Sequence, residues 1–155
     1  MNYEAAMGLA IQEARDAMEN SQDIPVGAVI LDSNFDLISS SHNQKELHKD
    51  VTYHAELTAI RKANLLKRDW RLQDCTLVVT LEPCLMCAGA IIASRLSRLV
   101  IGAWDEKAGA CGSSWDVLRD GRALHKIEVI SEIKSIECER LMKEFFGEIR
   151  TRKVN

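Results

Sequence analysis

The stretch CTLVVTLEPCLMCAGAI, residues 75–91, decides the kind of fold, because it joins a buried strand to a helix within a few residues. Residues 75–82 are nearly continuous β-branched and apolar sequence, which is typical of a strand buried on both faces. A helix is predicted over residues 84–97, with Cys84 and Cys87 on one face of its first turn. This spacing alone is compatible with a zinc site, a thiol redox pair or two cysteines packed in the core.

On both sides of this stretch, the hydrophobic periodicity predicts further helices and strands. Thr52 is expected to be the N-cap of a helix over 54–67, and residues 108–114, AGACGSS, to form a flexible loop. The other predicted elements are a helix over 3–19, strands over 24–32, 36–43, 98–104 and 126–131, and a helix over 135–150. The fold class is therefore α/β, and we expect a three-layer α/β/α sandwich with a five-stranded mixed sheet.

The composition is that of one globular domain, residues 1–155. The chain is 46% hydrophobic, carries a net charge of −3 and holds five cysteines. An odd number of cysteines without an export signal favours the reducing cytoplasm, and no apolar run reaches the length of a membrane span. The charge argues against nonspecific coating of nucleic acid. A basic cluster at Arg150, Arg152 and Lys153 is compatible with a local patch or with a solvated chain end.

A candidate partner for the two cysteines lies upstream, at His54. Because two successive helices on one sheet face can bring their N-termini together, His54, Cys84 and Cys87 are candidate ligands of one zinc ion. Three protein ligands leave a fourth position for water, as in catalytic sites. Glu56, two residues after His54, is then placed to carry a proton as general base and general acid. The alternative for Glu56 is an acid that merely complements the helix dipole.

The sequence resembles the zinc-dependent cytidine and nucleotide deaminase superfamily. Its signature is H-A-E at 54–56 followed by P-C-x-x-C at 83–87, with 26 residues between Glu56 and Pro83. Further segments match the branch of bacterial tRNA-specific adenosine deaminases; these are PVGAV at 25–29, Asn43, TLEPCLMCAGAI at 80–91, RLVIGAWDEKAGACGS at 98–113 and EFF at 144–146. The resemblance covers residues 20–150.

The resemblance implies a cytidine-deaminase-like fold and a hydrolytic reaction. A zinc-bound hydroxide would attack C6 of adenine, with Glu56 as proton shuttle, and adenosine at the wobble position of a tRNA anticodon would become inosine. One Zn²⁺ per chain would be held by His54, Cys84 and Cys87. Implied partners are a tRNA anticodon stem-loop and a second copy of the chain, without a membrane. The implied substrate-binding residues are Asn43, Ala55, Asp105, Phe145 and Phe146, with Asp105 at the ribose.

Other functions share parts of this pattern. A free guanine, cytosine or nucleoside deaminase of the same superfamily would use the same zinc ligands and Glu56, whereas a zinc-binding or redox protein without enzymatic activity would not need Glu56. Glu82 is expected to orient a loop, and Cys75, Cys111 and Cys138 to be structural. The chain departs from the adenosine deaminase pattern at three large aromatic residues, which are Tyr53, Trp104 and Trp115.

Overall fold

The computed structural model describes residues 1–154 and contains a five-stranded sheet with helices on both faces. The strands are β1 (Gly27–Leu31), β2 (Leu37–His42), β3 (Thr76–Leu81), β4 (Arg98–Ala103) and β5 (Glu128–Ile130). The α-helices are α1 (Tyr3–Asp16), α2 (Lys45–His48), α3 (Ala55–Lys67), α4 (Leu85–Ala93) and α5 (Ser135–Val154). A π-helical turn, Ala17–Ser21, extends α1, and a short 3-10 turn, Val117–Arg119, precedes β5.

The sheet is mixed, with strand order β2-β1-β3-β4-β5. Strand β1 pairs antiparallel with both β2 and β3, whereas β3, β4 and β5 run parallel. The β3–α4–β4 unit is therefore a crossover of the kind that parallel strands require. Because ligands gather at the carboxyl ends of parallel strands in such sheets, this topology directs attention to the residues that follow β3 and β4.

Two hydrophobic layers enclose the sheet. Helices α1 and α5 cover one face, with Met7, Ala10 and Leu141 fully or almost fully buried. Helices α3 and α4 cover the other face, where Ala59 and Ile91 are fully buried. The α/β class, the five-stranded mixed sheet and the three layers expected from the sequence are thus confirmed.

Several local predictions were wrong. Thr52 does not cap α3, because its hydroxyl donates to Asp50 (2.8 Å), and His54 occupies the N-cap position instead. Helix α4 ends at Ala93 rather than at residue 97, since Arg95 adopts a left-handed conformation with φ of 63°. The strand expected over 126–131 is limited to Glu128–Ile130.

The loop expected to be flexible at residues 108–114 is instead tied to the rest of the protein. The backbone N–H of Ala110 donates to Pro83 (2.9 Å), and those of Cys111 and Ser113 both donate to Glu82 (3.0 Å each). The expectation that Glu82 orients a loop agrees with these contacts. Within residues 1–154, none of the helices combines the length and apolar character needed to cross a membrane.

Candidate active site

The site is built at the N-termini of α3 and α4, which lie on the same face of the sheet. His54 and Cys84 are the two N-cap residues, each with extended backbone, and their carbonyl oxygens accept the first helical hydrogen bonds, from Thr58 and Ala88. Backbone N–H groups in a first helical turn lack partners within the helix and make a partly positive surface. The fold therefore directs two electropositive helix ends at one point.

Three side chains with metal-binding donor atoms meet at this point. The Nδ1 atom of His54 lies 3.7 Å from Sγ of Cys84 and 3.5 Å from Sγ of Cys87. Bonds of about 2.3 Å to sulfur and about 2.0–2.1 Å to nitrogen, at tetrahedral angles, would separate such donors by roughly 3.5 Å. The spacing and the donor types therefore fit a zinc ion without rearrangement, and one position of a tetrahedral ion is left for a group from outside the triad.

The two thiols differ in how readily they lose a proton. A hydrogen bond from the Cys87 thiol, helped by His54, lowers the pKa of Cys84 to about 4. The same bond and burial raise the pKa of Cys87 above its ordinary range. Of the two thiols, Cys84 therefore has the stronger thiolate character, which is what a metal ligand requires.

Glu56 lies in the first turn of α3, immediately beside this triad. Its side chain is buried, with 4% of the residue exposed, and burial raises the pKa of its carboxyl to about 7. A group with a pKa near neutrality both takes up and releases a proton under cellular conditions, which is what general acid–base catalysis requires.

A cavity of about 250 Å³ opens onto the triad and Glu56. It brings together seven of the residues singled out in the sequence, namely Asn43, His54, Ala55, Glu56, Glu82, Cys84 and Asp105. Cys87 is fully buried behind the cavity. The cavity is large enough for one small planar ring system but not for a folded nucleic acid.

Asn43 is held at the cavity wall by its own side chain. Its Nδ2 donates to the carbonyl of Ile24 (3.3 Å), and its Oδ1 accepts from the backbone N–H of Lys45 (3.2 Å). The residue is almost fully buried. The amide thus keeps a fixed orientation and has hydrogen-bonding capacity left for a molecule in the cavity.

Phe145 and Phe146 do not line the cavity. Phe145 is 9% exposed and Phe146 is 44% exposed. Both rings line a separate groove that includes Ile24 and Lys45, and Phe146 also lines a second groove on α5. Sequence reasoning missed five residues of the cavity wall: Ile24, Val26, Lys45, Leu81 and Ala108. Val26, Leu81 and Ala108 lie in segments that match the family but were not assigned a role. Ile24 carried no signal beyond strand composition, and Lys45 was detectable only as the cation that closely follows Asn43.

The aromatic departures have different surroundings. The Tyr53 ring stacks on His48, with ring centroids 4.0 Å apart, and the Arg61 guanidinium lies 5.4 Å from the Tyr53 centroid. Trp104 packs against the core, whereas Trp115 is mostly exposed. Because Tyr53 immediately precedes His54, its contact with His48 joins α2 to the start of the metal-binding segment.

A second cluster of possible metal ligands, which the sequence reasoning missed, lies away from the cavity and has a simpler explanation. Its members are Glu13, Asp16 and His42. Nδ1 of His42 lies 2.8 Å from Glu13, and hydrogen bonding to His42 lowers the pKa of Glu13. This pair ties α1 to β2, while Asp16 stays exposed. Cys75, Cys111 and Cys138 are buried free thiols and belong to neither cluster.

Known proteins share this architecture. The family model of the cytidine and deoxycytidylate deaminase zinc-binding region matches residues 1–103. A tRNA-specific adenosine deaminase of Bacillus subtilis (strain 168) is 40% identical over 150 residues, which cover 97% of this chain and 92% of the relative.

Two solved structures extend the comparison. One, from a study of A-to-I editing by tRNA:A34 deaminases at the wobble position of transfer RNA, superposes with a TM-score of 0.85 at 38% identity, covering 88% of this chain and 98% of the other. A guanine deaminase from Bacillus subtilis has a TM-score of 0.64 at 36% identity, covering 67% of this chain and 66% of the other. Together with the clustered His54, Cys84 and Cys87, these matches show that the chain belongs to the zinc-binding cytidine and deoxycytidylate deaminase family and is an enzyme of the deaminase type.

Proposed function

We propose that this protein hydrolyses adenosine to inosine at the wobble position of a tRNA anticodon, and that residues 1–155 act as one deaminase domain. The observation that carries hydrolytic deamination is a buried carboxylate, Glu56, beside three metal-binding donors at the end of one cavity. The relative that matches 97% of the chain and is named a tRNA-specific adenosine deaminase supports adenosine in tRNA as the substrate.

His54, Cys84 and Cys87 would hold one zinc ion per chain. The donor separations of 3.5 and 3.7 Å and the low pKa of Cys84 support this assignment. When bound, zinc supplies a water whose pKa is lowered to near neutrality. Because His54 and Cys84 also line the cavity, a metal held by them would be accessible to a molecule in the cavity.

Glu56 moves the protons of the reaction. Its carboxylate takes a proton from the attacking water and delivers it to N1 of adenine as the bond to C6 forms. The same carboxylate then takes the proton of the new hydroxyl group on C6 and delivers it to the exocyclic amino group. That group leaves as ammonia as the carbonyl of inosine forms. One water is consumed and one ammonia is released for each inosine formed, and Glu56 ends in the protonation state in which it began.

The purine is held by the walls of the cavity. Ile24, Val26 and Leu81 offer apolar surface to the ring faces, and the fixed amide of Asn43 hydrogen-bonds a ring edge. Ala55 contributes backbone at the N-terminus of α3, beside the reacting carbon. Asp105, which also lines the cavity, accepts from a hydroxyl of the sugar, and a contact to the 2′-hydroxyl would distinguish RNA from DNA.

A basic groove next to the cavity supports an RNA partner. Lys107 lies between two residues of the cavity wall in sequence, Asp105 and Ala108, and it also lines a groove of about 360 Å³ on α5. The groove is lined by Lys107, Met142, Lys143, Phe146, Gly147 and Arg150. Its three cations are suited to backbone phosphates, and the exposed ring of Phe146 to a splayed base. Phe145, being buried, would support Phe146 rather than touch the substrate.

We also propose that the chain acts as a homodimer. Helix α4, LMCAGAIIA, contains no charged residue, yet Leu85 is 50% exposed and Met86 37% exposed. Trp115 is mostly exposed. Its backbone N–H donates to the carbonyl of Gly109 (3.1 Å), which ties it to the loop beside the cavity. Exposed apolar surface of this kind is typical of interaction sites.

A free-base deaminase acting on guanine is the second candidate. The similarity to a guanine deaminase at 36% identity favours it, and it would use the same zinc ligands and the same Glu56. The basic groove distinguishes the two candidates, because a free base carries no phosphate that would require three cations beside the cavity.

Replacing one ligand should remove the metal. Cys87→Ala is expected to lower the zinc content from about one ion per chain to near zero, since two remaining donors do not complete a zinc site. Elemental analysis after dialysis measures the result. Cys138→Ala is the matched control, because it removes a buried thiol outside the triad and should keep the zinc. Full zinc content in Cys87→Ala would contradict the ligand assignment.

Replacing Glu56 should separate metal binding from turnover. Glu56→Gln keeps the size of the side chain but removes its ability to carry a proton, so kcat for an anticodon stem-loop should fall by about 10²–10⁴-fold while the zinc content is unchanged. Inosine formation and zinc content are measured on the same preparation. Turnover close to that of the wild type would refute the proton-carrying role.

Removing cations from the groove should weaken RNA binding without slowing the chemical step. Lys107→Ala, Lys143→Ala and Arg150→Ala are each expected to raise KM for a stem-loop with little change in kcat. Each should also reduce the slope of log KM against log salt concentration by about 0.7 for every phosphate that the variant no longer neutralises.

Lys126→Ala is the matched control for these variants. Lys126 is exposed and lies just before β5. Strand β5 begins beside the start of β4, and this end of the sheet is remote from the cavity. Groove variants that are indistinguishable from Lys126→Ala in KM and salt dependence would refute the RNA groove.

A further inference from the structure

Glu82 is a buried acid that the proposed chemistry does not use. It follows β3, precedes Pro83 and Cys84, and is 2% exposed. Its carboxylate accepts four hydrogen bonds: Oε1 from the backbone N–H groups of Cys111 and Ser113 (3.0 Å each), and Oε2 from the backbone N–H of Asp105 (2.9 Å) and from the Ser113 hydroxyl. All four donors belong to residues 105–113, so one buried carboxylate organises one loop.

The loop is shaped to receive this carboxylate. A Cβ atom on Gly109 would lie 2.1 Å from Oε2 of Glu82 and 2.4 Å from the carbonyl oxygen of Asp105. A side chain at residue 109 would therefore displace either Glu82 or the backbone of the loop. Gly109 also bridges to Cys84, so the loop is joined to the metal-binding segment directly after Glu82.

The same loop supplies part of the cavity wall. Asp105 and Ala108 line the cavity, and Oδ1 of Asp105 accepts from the backbone N–H groups of Lys107 (3.1 Å) and Ala108 (3.2 Å). Among residues 1–154, no hydrogen bond reaches Oδ2 of Asp105. That oxygen is available to a hydroxyl group of a molecule in the cavity. The hydrogen bond from the Asp105 N–H to Glu82 fixes the position of the Asp105 backbone, and with it the position of this oxygen.

We propose that Glu82 is a positioning residue for sugar recognition: it holds residues 105–113 so that the free oxygen of Asp105 meets the sugar hydroxyl of the target nucleotide. This inference rests on the function proposed above. A carboxylate serves four donors because both of its oxygens accept, whereas a carboxamide would turn an NH₂ group toward two of them. Glu82→Gln therefore preserves the volume of the side chain and releases part of the loop.

The test compares two stem-loops that differ only in the sugar of the target nucleotide, adenosine or 2′-deoxyadenosine. For Glu82→Gln, the ratio of kcat/KM for the ribose over the deoxyribose substrate should fall by roughly tenfold, with zinc still bound. Ser113→Ala, which removes the hydroxyl that contacts both Oε2 of Glu82 and the carbonyl oxygen of Asp105 (2.7 Å) but keeps the three backbone donors, should lower the ratio in the same direction by less. Glu106→Gln is the matched control, because it removes one negative charge from an exposed residue of the same loop and should leave the ratio unchanged.

The outcomes separate this role from the proposed function. An equal loss on both substrates with an unchanged ratio, or loss of zinc in Glu82→Gln with an unchanged ratio in Ser113→Ala, would overturn the positioning role. If the wild type converts neither stem-loop, the proposed function fails. Hydrogen exchange at the Asp105, Cys111 and Ser113 amides then tests whether Glu82 holds the loop. Faster exchange in Glu82→Gln than in Glu106→Gln would support this role, and equal exchange would refute it.

Discussion

The close approach of the His54 ring to the thiols of Cys84 and Cys87 is the interaction on which the rest of the site depends. It exists because α3 and α4 pack side by side on one sheet face with their N-termini at the same end. Neither helix supplies the site alone, since His54 comes before one and Cys84 before the other. The positive ends of both helices favour thiolates here, so the fold prepares this point for a cation and its ligands.

Two buried carboxylates near the triad illustrate how surroundings divide roles between similar side chains. Glu56 faces the cavity, and burial raises the pKa of its carboxyl to about 7, which suits a group that exchanges protons. Both oxygens of Glu82 accept hydrogen bonds, from four donors in one loop, which suits a group that stabilises the conformation of that loop. We propose that Glu56 serves the reaction and that Glu82 shapes the wall of the cavity that would meet the sugar.

The order of the elements, the three layers and the triad were predictable, because they follow from local hydrophobic patterns and from residue types at fixed spacing. The partners of individual side chains were not. Asp50 takes the Thr52 hydroxyl that was expected to cap α3. Glu82 was expected to orient a loop, but its four donors, 23 to 31 residues further along the chain, follow only from the folded structure. The inward turn of Phe145 and the outward turn of Phe146 depend on how α5 packs, which a pair of adjacent aromatic residues does not reveal.

We propose above all that the cavity and the basic groove act together on adenosine within RNA. The most direct measurement incubates the zinc-loaded wild-type protein separately with an adenosine-containing anticodon stem-loop, free adenosine, guanine and cytosine, and identifies the products by mass spectrometry. Inosine should form in the stem-loop at a far higher rate than any product forms from the three small molecules. Conversion of guanine alone, with the stem-loop unchanged, would contradict the claim.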